Sequence, residues 1–179
     1  ICACLVGSEM CIRDSEEGTT RIGDSAFENC KALAELEIPD GVVNVGQRLF
    51  LGCAALKNVV IGKNVTNIGD DIFEGCSALE SVVLKDGFKA VVDKMFEDCV
   101  NLKNVTLSNG LQSIWNNAFD GCIGLTAIEI PESVKSVGQY AFSECTALSR
   151  AVNGGGVTDS GVTFFISALR LKAWYLTKA

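Results

Sequence analysis

The chain has 179 residues, 48% of them apolar, which is enough for one domain to bury a continuous core. Fifteen basic residues against 22 acidic ones leave a net charge of −7, which disfavours nucleic acid or an anionic membrane surface as partner. Histidine is absent, which removes Ser-His and Cys-His catalytic pairs and every zinc site that needs imidazole.

Taken in order, the chain carries Leu5-Val6-Gly7-Ser8-Glu9-Met10-Cys11-Ile12-Arg13-Asp14-Ser15 near its start. These eleven consecutive residues resemble one reading frame of a transposase adapter used to prepare sequencing libraries. The resemblance implies that residues 1–15 are a non-native, adapter-derived segment, to be set aside before fold reasoning. An apolar signal-peptide remnant over residues 1–7 is the alternative. Setting the segment aside removes Cys2, Cys4 and Cys11 from the nine cysteines and leaves six.

Residues 16–151 are a repeat array. Phe stands at 27, 50, 73, 96, 119 and 142, Cys at 30, 53, 76, 99, 122 and 145, and Leu at 33, 56, 79, 102, 125 and 148, always 23 residues apart. Written from its second copy, the unit is Cys53-x-x-Leu56-x-x-Val59-x-Ile61-x-x-x-Val65-x-x-Ile68-Gly69-x-x-x-Phe73. Val59 and Ile61 alternate at period two, the mark of a short strand with one buried face, and Val65-x-x-Ile68-Gly69 gives a second extended piece. Phe73, Cys76 and Leu79 are spaced by threes, which predicts a single helical or 3₁₀ turn. One unit cannot bury its own apolar edge, so the units stack and each column becomes a line of core.

The unit resembles the BspA-type leucine-rich repeat, best at Val134-x-x-Val137-Gly138-x-x-Ala141-Phe142-x-x-Cys145-x-x-Leu148, preceded by Ile128-x-Ile130-Pro131. The resemblance implies a leucine-rich repeat solenoid of six stacked right-handed coils with a parallel β-sheet on one face. At about 4.8 Å of rise per coil it would be roughly 25 to 30 Å long. Departures are local: Pro occurs in two units only (Pro39, Pro131), and the Gly after Ile becomes Val92 and then Trp115.

One thiol per coil at a spacing of 23 does not make a Cys-x-x-Cys metal or redox site. Parallel Cβ vectors would also hold stacked Cβ atoms beyond the usual ~3.8 Å of a disulfide. The column therefore reads as buried free thiols used as small apolar residues. Acidic residues recur at Asp24, Asp70, Asp93, Glu28, Glu74, Glu97 and Asp120, but Gln47, Asn116, Gln139 and Leu51 interrupt them. They lack the dense alternation of a calcium loop and read as a solvated face. Neither a metal nor another cofactor is expected.

With the strand's apolar residues inward, the alternate positions form two outward columns: Glu35, Asn58, Ser81, Asn104 and Ala127, and Glu37, Val60, Val83, Thr106 and Glu129. This face is the first candidate for ligand contact. Trp115 beside Val92 is the second, as an exposed aromatic hot spot.

After Leu148 the frame is expected to fail. Residues 152–179 read as a Gly-rich break followed by a capping helix over about 160–170, or by a divergent repeat opening at Thr158-Asp159-Ser160-Gly161-Val162. The most apolar window, 162–176, contains Arg170 and Lys172 and falls short of the ~18 apolar residues of a spanning helix, so membrane insertion is not expected. No catalytic constellation is visible. The function expected is a non-enzymatic module that binds a protein ligand through the sheet face. The resemblance implies surface adhesion and a cell-surface or secreted location, and a structural spacer within a larger protein is the alternative.

Overall fold

The computed structural model describes residues 18–160 and the backbone of residues 175 and 176, so the adapter-like segment lies outside the described residues. The coils supply two series of strands. The short series comprises β1 (Arg21–Ile22), β3 (Asn44–Val45), β5 (Asn67–Ile68), β7 (Ala90–Val91), β9 (Ser113–Ile114), β11 (Ser136–Val137) and β13 (Asp159–Ser160). The long series comprises β2 (Glu35–Ile38), β4 (Asn58–Ile61), β6 (Ser81–Leu84), β8 (Asn104–Thr106), β10 (Ala127–Ile130), β12 (Arg150–Asn153) and the two-residue β14 (Tyr175–Leu176).

Every pairing is parallel and joins residues 23 apart, as in Glu35↔Asn58↔Ser81. The period of the sequence is thus the period of the fold. Each ladder is interrupted once. The long strands form β2-β4-β6-β8 and β10-β12-β14, and the short ones β1-β3-β5 and β7-β9-β11-β13.

The core is a set of columns. The six phenylalanines stack with centroids 5.2–5.6 Å apart and ring planes within 17°. That spacing is slightly wider than the strand spacing of about 4.8 Å. The Leu column from Leu56 to Leu148 is wholly buried, and so are Cys53 to Cys145. Each of these five thiols also donates to the carbonyl of the phenylalanine 26 residues earlier, at 3.0–3.2 Å. That carbonyl already accepts from the backbone N–H of the cysteine in its own coil. Cysteine is therefore more than a small apolar filler here: its weak S–H donor ties one coil to the previous one.

The segment between Phe and Leu corrects the helical expectation. No helix occurs among the described residues, and these segments are chains of turns. The spacing by threes is real, since Cys30 N bonds Phe27 O and Leu33 N bonds Cys30 O. A continuous helix is blocked because alternate donors point along the solenoid axis: Ser25, Phe27 and Asn29 donate to Gln47, Leu49 and Leu51 of the next coil. The same three bonds recur coil after coil, for example from Lys94, Phe96 and Asp98. Aiming the donors this way requires left-handed residues. Ser25, Arg48, Asp71, Lys94, Asn117 and Tyr140 all have φ between 53° and 58°, as does Asn29, whose column carries glycine at 52, 75 and 121.

The ladder also continues past the boundary placed at residue 151. Arg150–Asn153 pairs in register with Ala127–Ile130, and Ala151 and Asn153 are buried in the columns of Ile128 and Ile130. Ser160, expected to open a helix, instead lies in β13 against Val137. The rest of the expected helix lies outside the described residues.

Candidate functional site

The long strands position the first candidate as strand alternation requires. Leu36, Ile38, Val59, Ile61, Val82 and Leu84 are buried, and the residues between them face outward. In register across the sheet run Glu35, Asn58, Ser81 and Asn104, and beside them Glu37, Val60, Val83 and Thr106. Val83 is 41% exposed and Val60 is half-buried next to it. Ser81 Oγ donates to Asn58 Oδ1 at 2.9 Å, which fixes that polar pair. Ala127 and Glu129 do not continue this sheet, because β10 pairs with β12 and not with β8. Glu129 instead meets Arg150 at 3.7 Å, an exposed pair of small energetic weight.

The short strands carry the second candidate, and here the expectation divides. The position after each short strand is glycine at 23, 46, 69 and 138, and packing explains why. A Cβ at Gly138 would lie 2.6 Å from Trp115 C and Asn116 N, and one at Gly46 or Gly69 would run into the backbone of the coil before. Val92 breaks the rule by going inward: it is only 4% exposed, not beside an exposed Trp115 as the sequence suggests. Its coil also carries Phe88, buried where its neighbours carry Val65 and Leu111. These two enlarged positions stand just where the short ladder is interrupted, between β5 and β7.

Trp115 breaks the rule by going outward. It keeps its ladder bond to Val91 O at 2.8 Å, leaves 44% of its surface in water, and donates from Nε1 to Ser113 Oγ at 2.9 Å. It walls an open depression of about 470 Å³ lined also by Asp93, Asn116, Ser136, Gly138 and Gln139. A depression of about 430 Å³ recurs on the same face between Arg21 and Asp70, with Gly46 and Gly69 on its floor and no aromatic residue. The expectations above did not include Ser136, Gln139 or the exposed Tyr140 and Ile123. Aligning the six units by column would have singled out Tyr140 as the one apolar departure from a polar column, whereas Ile123 shares its column with Ala54 and Val100.

The acidic column beside this face is built into the coils. Asp24 Oδ1 accepts from Gln47 N at 3.0 Å, Asp93 Oδ1 from Asn116 N at 2.8 Å, and Asn116 Oδ1 from Gln139 N at 2.9 Å. A short side chain with an acceptor oxygen is what the position needs, charged or not. Asp70 sits above its ordinary pKa, through partial burial first and then the charges of Asp93 and Asp71. Burial likewise raises Glu74. Among the described residues no three Cys, Asp or Glu side chains are placed to hold a metal ion, and no helix is long and apolar enough to cross a membrane. Burial pushes the thiols of Cys76 and Cys145 up to about 12 and those of Cys99 and Cys122 well above the ordinary value, so they are not nucleophiles at neutral pH.

The model of the BspA type leucine-rich repeat region matches in six copies, over residues 13–99 and 68–178. A leucine-rich repeat protein from Bacteroides ovatus is similar in structure, with a TM-score of 0.79 and 30% identity over 85% of this chain and 39% of its own. A leucine rich cell surface protein from Faecalibacterium prausnitzii has a TM-score of 0.57 and 34% identity over 75% of this chain and 43% of its own. A leucine-rich repeat protein from Eubacterium ventriosum has a TM-score of 0.67 and 35% identity over 70% and 34%. The chain thus spans well under half the length of these relatives. No curated protein matches it.

Proposed function

The chain belongs to the BspA-type leucine-rich repeat family, and from that premise we propose that it is a non-enzymatic binding module whose long-strand sheet engages a protein ligand, in the manner of a surface adhesin. The observation that carries this is the in-register outward patch of β2, β4, β6 and β8. It places Val60 and Val83 at the centre of a polar frame made by Glu35, Glu37, Asn58, Ser81, Asn104 and Thr106. An apolar centre with a polar rim is the anatomy of a protein interface. One of the solved relatives is described as a cell surface protein, which supports an exposed location.

The test is binding of the chain to immobilised extracellular-matrix proteins, set against Val83→Lys and Val60→Lys. Both positions are outward, so Val83→Lys should change stability by no more than about 0.5 kcal/mol. Loss of binding with an unchanged melting temperature supports the sheet face. Binding by neither the chain nor its variants supports a structural spacer, and equal binding by all of them overturns the sheet face as the contact surface.

A further inference from the structure

We propose that the depression beside Trp115 is a second, separate site, a shallow subsite for a neutral sugar ring, independent of the protein-binding sheet face. A side chain at this position is resisted by the fold, since every other coil uses glycine there except the one that buries Val92. An indole in this column returns only part of its surface to the core. A residue that breaks the local rule and still faces solvent marks a functional position.

The chemistry around it selects the ligand class. The indole offers a flat apolar wall whose own N–H is occupied by Ser113 Oγ, so it presents a face and not a donor. The groups that share the depression are an amide on Asn116, an amide on Gln139, a hydroxyl on Ser136 and the carboxylate of Asp93. Asn116 Oδ1 and Asp93 Oδ1 are taken by backbone N–H groups, which hold these two side chains in place. Asn116 Nδ2 and Asp93 Oδ2 remain available as donor and acceptor. A C–H-rich pyranose face against an aromatic plane, with hydroxyls reaching mixed donors and acceptors at the rim, satisfies all of these groups. A basic side chain would use the indole and the single carboxylate but would leave the amides and Ser136 without a role. The volume falls in the ~300–1,000 Å³ range of small-ligand sites. The depression at Gly46 and Gly69 is of similar size and has amides too, but it carries Arg21, Asp24 and Asp70 and no aromatic plane, and it serves as a control that lacks the indole.

The experiment is fluorescence titration of a Trp174→Phe chain, in which Trp115 is the one tryptophan left of two. The probes are cellotetraose and chitotriose, with tetralysine as the cationic competitor. The expected result is a saturable emission shift with at least one oligosaccharide and none with tetralysine. By nuclear magnetic resonance line broadening of the sugar, affinity should fall about tenfold or more in Trp115→Leu, which keeps apolar bulk without the aromatic face. It should fall less in Trp115→Phe and in Gln139→Ala, and stay unchanged in Gln47→Ala at the control depression. Circular dichroism establishes that each variant is folded, and Trp115→Phe and Gln139→Ala carry the test if Trp115→Leu is not. A response to tetralysine alone, no response to any probe, or undiminished sugar binding in Trp115→Leu overturns the proposal. None of these outcomes bears on Val60 and Val83.

Discussion

Alkaline pH should unfold this protein through its cysteine column, at a pH where its charged surface is still well tolerated. Cys76, Cys99, Cys122 and Cys145 are buried, and burial holds each thiol above its ordinary value of 9.0, to about 12 for Cys76 and Cys145 and well above for the other two. For these groups the folded pKa is raised. Their contribution is therefore fully present below pH 9 and is lost as pH rises towards the folded value, because the unfolded chain releases protons that the native chain retains. At pH 10 each unfolded thiol is about nine-tenths ionised while its native counterpart is not, a loss of about 1.4 kcal/mol per thiol and about 5–6 kcal/mol for four. That reaches the lower end of the stability of a folded domain, about 5–15 kcal/mol.

The assay is the urea midpoint from pH 7 to 10.5 of a chain carrying Cys2→Ser, Cys4→Ser and Cys11→Ser, which leaves only the six column thiols, with thiolate absorbance followed in the same samples. The midpoint should hold to about pH 8.5 and then fall steeply, and thiolate should appear only with unfolding. Cys99→Ala removes one titrating group. It should cost about 1.5–3 kcal/mol at pH 7, from lost volume and the lost bond to Phe73 O. It should also shallow the alkaline slope by about 1.4 kcal/mol per pH unit. Thiolate absorbance near pH 9 in the folded protein, or a Cys99→Ala slope equal to the parent's, would refute the buried-thiol account.

Other outcomes follow from the same columns. Phe96→Ala, with stacked rings on both sides, should cost about 3–5 kcal/mol, whereas Phe27→Ala, half-buried with one stacked neighbour, should cost about half that, measured by thermal unfolding. Arg48→Gly should raise stability by about 0.5–1 kcal/mol, since Arg48 is exposed at φ 53° and glycine adopts that conformation without strain. Gly75→Ala, whose Cβ would meet only Gly52 at an ordinary contact distance but at φ 70°, should cost about 1–2 kcal/mol, and Gly69→Ala more, because its Cβ would meet the backbone of Gln47. Asp70→Asn should stabilise by a few tenths of a kcal/mol at pH 7, after allowance for solvent screening. Asn116 already fills that column position, and the gain should vanish as pH falls through the raised pKa of Asp70, where the parent itself gains stability.

The stacking was legible because a period of 23 in Phe, Cys and Leu is a direct record of which residues touch. The outward parity of Glu37, Val60 and Val83 followed from two buried residues per strand. Three features were out of reach for physical reasons. The turns looked helical because Phe27, Cys30 and Leu33 are spaced as a helix spaces them, and only the backbone shows Ser25 and Asn29 in left-handed conformations that turn the donors toward the next coil. Glycine would have advertised this, but it occurs in only three coils of the second column and in none of the first. The cysteine looked like filler because an S–H bond to a carbonyl 26 residues away leaves no trace in composition. The sheet face looked continuous through Glu129, since a ladder interruption between β8 and β10 depends on how two coils sit and not on which side chains alternate.

In an array whose core repeats in every coil, specificity has to come from positions where a unit departs from its neighbours. Such a departure has two fates. Phe88 and Val92 are turned inward, and the neighbouring ladder is interrupted; they modify the stack and offer nothing to a ligand. Trp115 and Tyr140 are turned outward, in columns filled elsewhere by glycine or valine and by polar residues respectively, and they leave the stack intact. Val92 and Trp115 share one column and have opposite fates, so column position alone does not decide which fate applies. What decides it is whether the side chain finds volume in its own coil. A β-branched valine fits behind its strand, whereas an indole does not fit there and must cross to the solvent side. Large aromatic replacements in the glycine column are therefore pushed to the surface by the packing itself, which gives a repeat protein a route from a core-spacing position to a recognition position by one substitution.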